Sequence, residues 1–407
     1  MRHNPTGRAR LGLALLLGLL AVLGPLNIDM YLPGFPEIAA DLDARAPQVQ
    51  LSLTTCLIGL AVGQVVVGPV SDARGRRGPL AVSLLLFVLS SLLCAMAPDI
   101  ATLVVGRFLQ GFTASAGIVL SRAVVRDVFE GPALTSFFAL LMVITAVAPM
   151  AAPVAGGAVL ALPFATWETI FLFLALFGAV IALVALLRLP ETLPAERRIP
   201  SSLGGSLRTM AVLLRDRSFM GYALIVGLLH GGSFAYVAGT PFVYQDLHGV
   251  SPQVFGVLFG VNGIAIILGS AAVGRLSTRV TERTLLRIAV VTAVLATGVL
   301  LVVTLADGPL PALVVPVFVY MTCMGMILTS SFALAMEGQE GRAGSAGSLL
   351  GALPMLIGAG VAPLVGLDES TAVPMGAVLF GTAALGLLVL VGMTSERRRE
   401  PAAEPGR

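Results

Sequence analysis

The chain has 407 residues, of which 57% are hydrophobic and only 12% are charged. About 25% of the residues in a soluble domain are charged, so this composition excludes a soluble globular protein. It predicts an all-α polytopic membrane protein, because helices satisfy their own backbone hydrogen bonds in lipid. The net charge of +3 gives no reason to expect a nucleic-acid partner.

Twelve apolar segments follow one another, each of about 20 residues and so long enough to cross a bilayer as a helix. They cover residues 11–33, 47–70, 79–97, 99–121, 134–158, 166–189, 218–240, 251–274, 284–306, 311–335, 344–366 and 371–393. All 25 basic residues are arginines, and all but Arg45 and Arg107 lie on one side of these spans, the tail included. The positive-inside rule therefore predicts that both termini are cytoplasmic, in a multi-pass protein of the cell membrane.

Residues 190–217 interrupt the apolar pattern with three prolines and five arginines. We interpret them as a cytoplasmic loop between two six-helix bundles, residues 1–189 and 218–395, with a cytoplasmic tail at 396–407. A weak internal repeat supports this division, since two glycines and a Pro-Met pair recur in the second half: Gly63 with Gly269, Gly68 with Gly274, and Pro149-Met150 with Pro354-Met355. Two such halves with a site between them near midplane are a common transporter plan.

Asp29 lies near the end of the first apolar segment. A carboxylate costs about 2.5–3.5 kcal/mol at the centre of a membrane helix, so such residues usually face a cavity and mark a proton or ion route. Arg107 of the fourth span, followed by Gln110, lies at a similar depth and is within possible reach of a salt bridge with Asp29. The alternatives are a structural ion pair, an Asp29 that lies at the outer interface, or an Asp29 that caps a kink made by Pro25 and Pro33.

Two further segments stand out. The predicted inner loop after the second span contains Gly68, Asp72, Arg74, Gly75, Arg76 and Arg77. Its glycines allow a turn, and Asp72 can pair with an arginine or cap the next helix, although an ordinary positive-inside loop would look similar. The fifth span contains Pro149, Pro153, Gly156 and Gly157, which bend a helix and allow close packing.

These segments together resemble the major facilitator superfamily. The loop is similar to its signature loop, with Ala73 in place of the usual basic residue; Arg107-x-x-Gln110-Gly111 resembles its proton-coupling motif; and the fifth span resembles its antiporter motif, with Ala152 in place of a glycine. Within the superfamily, the strings at 29–36, 122–127 and 234–244 are similar to the Bcr/CflA-type (bicyclomycin/chloramphenicol-resistance) drug:proton antiporters.

The resemblance implies the major facilitator fold and proton-coupled efflux of small amphipathic, drug-like compounds by a monomer. Asp29, Arg107 and Gln110 would couple protons, and the inner loop would gate the cytoplasmic side. An adaptable pocket would be lined by Asn27, Tyr31, Phe138, Met142, Phe234 and Tyr236, although such side chains at helical spacing are more often plain core. His230, near midplane, is expected to be a packed, hydrogen-bonded residue.

Two other functions are compatible with parts of the sequence. A dedicated exporter of one metabolite or natural product would use the same residues with a narrower pocket. A polytopic membrane enzyme would need a catalytic cluster at a membrane face, which three histidines do not supply, so no catalytic residue is expected. Cys56, Cys94 and Cys323 lie in apolar segments and are expected to be small core residues, without a disulfide, metal or cofactor.

Overall fold

The computed structural model describes residues 7–198, 203–337, 339, 342–368 and 370–394, and this part of the chain is almost entirely helical. Its fourteen α-helices are α1 (Gly7–Asp29), α2 (Phe35–Asp41), α3 (Ala46–Arg74), α4 (Arg77–Ala95), α5 (Ile100–Val128), α6 (Gly131–Leu160), α7 (Trp167–Arg188), α8 (Leu203–Leu213), α9 (Arg217–Pro241), α10 (Pro252–Leu276), α11 (Glu282–Leu305), α12 (Leu310–Met336), α13 (Ala343–Val361) and α14 (Val373–Met393).

All helices except α2 and α8 are long and apolar, and they confirm the twelve predicted spans. Eleven of them are long and apolar enough to cross a membrane over their described residues, and the twelfth, α6, is a helix of 30 residues. The predicted tail lies outside the described residues, and α7 and α9 border the predicted central loop at Arg188 and Arg217. That loop contains α8, a short helix.

The first helix ends before the predicted end of its span at residue 33, although the apolar helical segment continues to Asp41. Helix α1 ends at Asp29, because Pro33 has no N–H to donate to the Asp29 carbonyl and so cannot continue the hydrogen-bond ladder. A 3₁₀ turn at Leu32–Gly34 follows, and α2 then continues outward. Asp29 is therefore the last residue of its helix.

Glycines join the helices within each half. In the first half, a Cβ on Gly59 would collide with the Phe108 carbonyl and one on Gly111 with the Cys56 carbonyl, so α3 and α5 touch backbone to backbone. In the second half, Gly269 meets the Thr322 carbonyl in the same way, which joins α10 to α12. Gly269 is the sequence counterpart of Gly63 on α3, which packs on Phe112 of α5 in a similar way.

The contacts between the halves gather at one face, which we call the outer face; α1 begins at the opposite, inner face. Helix α6 packs on α10, where a Cβ on Gly157 would lie 2.8 Å from the Pro252 carbonyl oxygen. Gln50 of α3 donates to the Ala238 carbonyl of α9 over 3.3 Å. Deeper in the bundle, Gln64 of α3 donates to the sulfur of Met355 of α13, also over 3.3 Å. The structure is therefore closed at its outer face.

Candidate functional site

Arg107 lies on α5 and is completely buried. Its Nη1 donates to Asn27 Oδ1 and its Nη2 to the Asn27 carbonyl, each over 2.7 Å. Nη1 also donates to Gln110 Oε1. The guanidinium carbon lies 4.1 Å from the centre of the Tyr31 ring, a cation–π distance. The Asn27 carbonyl is available to Arg107 because α1 stops two residues later.

The sulfur atoms around Arg107 take part in this polar network. Asn27 Nδ2 lies 3.1 Å from Cys56 Sγ, and Cys94 Sγ donates to Gln110 Oε1 over 3.8 Å. Ser91 Oγ accepts from Gln110 Nε2 over 2.8 Å. Cys56 and Cys94 are buried as predicted, but they are hydrogen-bonding neighbours of a buried cation as well as apolar filler.

Asp29 is also buried, with 6% of its surface exposed. Although the two residues lie at similar depths, no ion pair within 4.0 Å joins Asp29 to Arg107 among the described residues. The partner of Arg107 is therefore Asn27 and not Asp29, which its predicted depth in the membrane had suggested. The Nε of Arg107 is buried and has no hydrogen-bond partner in the described part of the chain.

At the inner face, Arg76 is the centre of the loop between α3 and α4. Its Nε donates to Asp127 Oδ2 over 2.9 Å, and its Nη1 donates to Ser71 Oγ over 2.8 Å and also to Asp72. Thr192, beyond the end of α7, donates to the same Asp127 oxygen over 3.1 Å. The loop is therefore tied to the inner ends of α5 and α7.

Glu191 accepts hydrogen bonds from the backbone of this loop. Its carboxylate accepts from the backbone N–H groups of Arg76, Arg77 and Leu193 over 2.8, 3.2 and 3.0 Å. Partial burial opposes ionisation of Glu191, but these three donors and Arg198 outweigh it and lower the pKa of its carboxyl. The start of α4 is thus capped by Glu191, while Asp72 pairs with Arg76.

Gly75 allows the loop to pass beneath Glu191. Its φ of 91° lies in the region that favours glycine, and a Cβ there would lie 2.5 Å from Glu191 Oε2. Arg77 Nη2 donates to the Leu186 carbonyl over 2.7 Å, whereas Arg74 is exposed and Gly68 packs loosely. Sequence analysis missed Glu191 and the role of Asp127; the only signal was a carboxylate just after the sixth span, opposite a basic loop.

The proline- and glycine-rich part of α6 lies at the outer closure. A Cβ on Gly156 would collide with the Met30 carbonyl, just beyond the end of α1. The Pro153 carbonyl faces Gly256 of α10, where a Cβ would lie 2.7 Å away. Pro149, like Pro153, lies within the helix. This part of α6 therefore forms contacts with both α1 and the second half.

Those predicted pocket residues whose side chains the structure describes are buried in this conformation. Tyr31 and Tyr236 are buried, and their hydroxyls contact Ser52 Oγ at 3.0 Å and Asn262 Nδ2 at 2.7 Å. Phe234 is 8% exposed. The side chains of Phe138 and Met142 lie outside the described residues. Contact of this group with a substrate stays a prediction.

Comparisons with known proteins agree with the fold. A sequence profile of the Major Facilitator Superfamily matches residues 17–363. The "Uncharacterized MFS-type transporter YdgK" of Bacillus subtilis (strain 168) is 65% identical over 397 residues, which cover 98% of this chain and 99% of the relative. The "Bicyclomycin resistance protein homolog" of Haemophilus influenzae is 32% identical over 382 residues, 94% of this chain and 96% of the relative.

Among solved structures, a partially occluded, inward-open form of the xylose transporter XylE from E. coli has a TM-score of 0.73 at 12% identity. The match covers 95% of this chain and 98% of that one, and it supports the fold alone.

Fold and relatives together define a multi-pass membrane transporter of small molecules. The chain belongs to the Major Facilitator Superfamily. Its resemblance to the Bcr/CflA-type drug transporters within that superfamily is confirmed by the bicyclomycin-resistance relative.

Proposed function

We propose that this protein exports small amphipathic compounds through the cytoplasmic membrane in exchange for protons, as a monomer with both termini in the cytoplasm. The observation that supports this most is Asp29, a buried carboxyl at the end of α1 that has no ion-pair partner among the described residues. Ionisable groups inside a membrane are rare and usually serve transport.

Asp29 is proposed to carry the proton. A buried carboxyl without a counter-ion favours its neutral form, and a nearby cation favours its charged form. Arg107 lies in the same region, and its Nε has no acceptor among the residues that the structure describes. A shift of α1 relative to α5 that brings the two groups together would release the proton, and Gln110 and Asn27 would hold Arg107 in place.

The inner loop is proposed to bias the exchange between the two conformations. Arg76, Asp127 and Glu191 tie the loop to the inner ends of α5 and α7. A closed inner face would need the second half to meet this surface, so changes in the loop should alter the rate of conversion more than the affinity for substrate.

The decisive experiment uses Asp29→Asn in proteoliposomes with an imposed pH gradient. The amide keeps the shape of the side chain but cannot carry a proton, so gradient-driven uptake of bicyclomycin and chloramphenicol should be abolished while binding of neutral compounds persists. Asp307→Asn is the matched control, because Asp307 lies in the outer turn after α11 with φ 45°, which asparagine tolerates.

Normal accumulation by the Asp29→Asn variant, with normal pH dependence, would make Asp29 structural. Glu37 and Glu168, near the outer face, would then be the next carboxylates to test. A panel of chemically unrelated substrates separates a multidrug exporter from a dedicated exporter of one compound.

A further inference from the structure

His230 occupies a face of α9 that is directed away from the rest of the second half. Gly231 packs on Ile357 of α13 and Gly232 on Thr382 of α14. Tyr236 accepts from Asn262 of α10. At 100° per residue, His230 points between α13 and α10 and away from α14. The remaining direction leads to the first half.

The level of His230 lies inward of the outer closure. Two turns farther out on α9, roughly 12 Å along the axis, the Ala238 carbonyl accepts from Gln50 of the first half. Beyond it, the rings of Phe242 and Phe35 meet with their centres 5.9 Å apart. His230 itself is partly exposed, unlike most of α9 around it. It therefore lies inward of this outer contact, close to the level at which Gln64 of the first half reaches Met355.

The imidazole of His230 stacks on Phe234. The ring centres are 5.6 Å apart and the planes differ by 18°. Phe234 is fixed from behind by Gly358 of α13, since a Cβ there would collide with its ring. Phe234 is buried in this conformation, so of the two rings only the His230 imidazole is partly exposed; offset stacking of this kind also suits a third planar ring.

The ring nitrogens of His230 have no hydrogen-bond partner among the described residues; its backbone carbonyl alone is used, by Ser233 Oγ at 2.6 Å. The expectation that His230 is a hydrogen-bonded packing residue is therefore wrong for its side chain. The imidazole is therefore available to bond to a polar group of a ligand.

We propose that His230 and Phe234 form a substrate subsite for compounds that carry a planar aromatic ring with a hydrogen-bonding group at its edge. The ring of the compound stacks on Phe234 beside the imidazole once a conformational change uncovers Phe234, and its polar edge bonds to a ring nitrogen of His230 in the plane of the imidazole. The subsite rests on the proposed export function, but its occupancy is measurable without a proton gradient.

The experiment measures equilibrium binding of two labelled compounds to the purified protein. Chloramphenicol carries a planar nitrophenyl ring, whereas bicyclomycin has no aromatic ring. His230→Leu and Phe234→Leu should each weaken chloramphenicol binding about fivefold or more, and bicyclomycin binding less than about twofold. His248→Gln is the control, because that imidazole lies at the outer face against the Val243 and Gly308 carbonyls.

A measurement on the unmodified protein covers the case in which a variant does not fold. Chloramphenicol should slow the reaction of His230 with diethyl pyrocarbonate, followed by mass spectrometry, while bicyclomycin should not, and His248 is the internal reference. Equal losses for both compounds, unchanged chloramphenicol binding in both variants, no protection of His230, or no chloramphenicol binding by the unmodified protein would overturn the subsite. Failure of the export function has a different signature, namely bound compound that a pH gradient does not move.

Discussion

Glu191→Gln tests the closure of the inner loop. The carboxylate accepts three backbone N–H groups, and hydrogen bonds to a charged acceptor contribute about 1.5–3 kcal/mol against about 0.5–1.5 for a neutral one. The glutamine also turns an N–H₂ group toward one of these donors. Because Glu191 is only partly buried, we take the low end of this range. We expect the free energy of opening this loop to fall by about 1–3 kcal/mol, which lowers the protection of its amides roughly 5- to 150-fold.

Hydrogen–deuterium exchange reads this change directly, because the amides of Arg76 and Arg77 are themselves the donors. They should exchange faster in Glu191→Gln, while α3 and α5 stay protected. Glu196→Gln, in the exposed turn at Ala195–Arg197, should leave both amides unchanged. Equal exchange in the two variants would refute the view that Glu191 caps α4.

Three further tests address the pH dependence of this loop, the contact between α3 and α5, and Arg107. The lowered pKa of the Glu191 carboxyl means that its stabilisation of the loop is fully present above the ordinary glutamate pKa and is lost as the pH falls through the lowered value. The protection of the Arg76 amide from exchange should therefore stay constant near neutral pH and decrease in acid. Gly111→Ala should lower the thermal unfolding midpoint, since overpacking costs about 1–3 kcal/mol, whereas Gly381→Ala, with open space at its Cβ, should not; equal midpoints would contradict the backbone contact. Arg107→Lys should keep only part of the export activity, because one ammonium cannot reproduce the paired bonds to Asn27, and full activity measured in vesicles at matched protein levels would show that charge alone suffices.

Asp72→Asn belongs with these tests. Asp72 is half exposed and pairs with Arg76, so its loss should slow transport without weakening substrate binding, and unchanged transport at equal expression would leave the loop as a topology signal only.

The spans and the inner loop were predictable because the bilayer imposes them. Lipid requires long apolar helices, and the positions of the arginines indicate which connections lie on the inner side. Hydropathy and charge were therefore sufficient to predict the twelve helices. The end of α1 at Asp29 was also within reach in principle, since Pro33 removes the N–H that would have continued the helix. The predicted end of the span at residue 33 was based only on where the apolar segment of the sequence ends.

The partners of Arg107 and Arg76 were not predictable. Rise per residue gives the depth of Arg107 but not the direction in which its side chain leaves the helix, so depth suggested Asp29 where the structure has Asn27. Glu191 lies far from Arg76 in sequence, and only the packing of α7 beside α4 brings it over the loop. The depth of a residue follows from its position along its own helix, whereas its bonding partner depends on how that helix is rotated against its neighbours.

The backbone contacts between α3 and α5 have a mechanical consequence. Helices that touch through Gly59 and Gly111 cannot slide past one another without a collision, so a displacement at one end of this pair is transmitted to the other end. The pair acts as a stiff lever about 40 Å long, and a tilt of ~10° about its middle moves each end by ~4 Å. That movement exceeds the length of the Gln50 hydrogen bond at the outer face, so a modest rotation of one half is enough to open it.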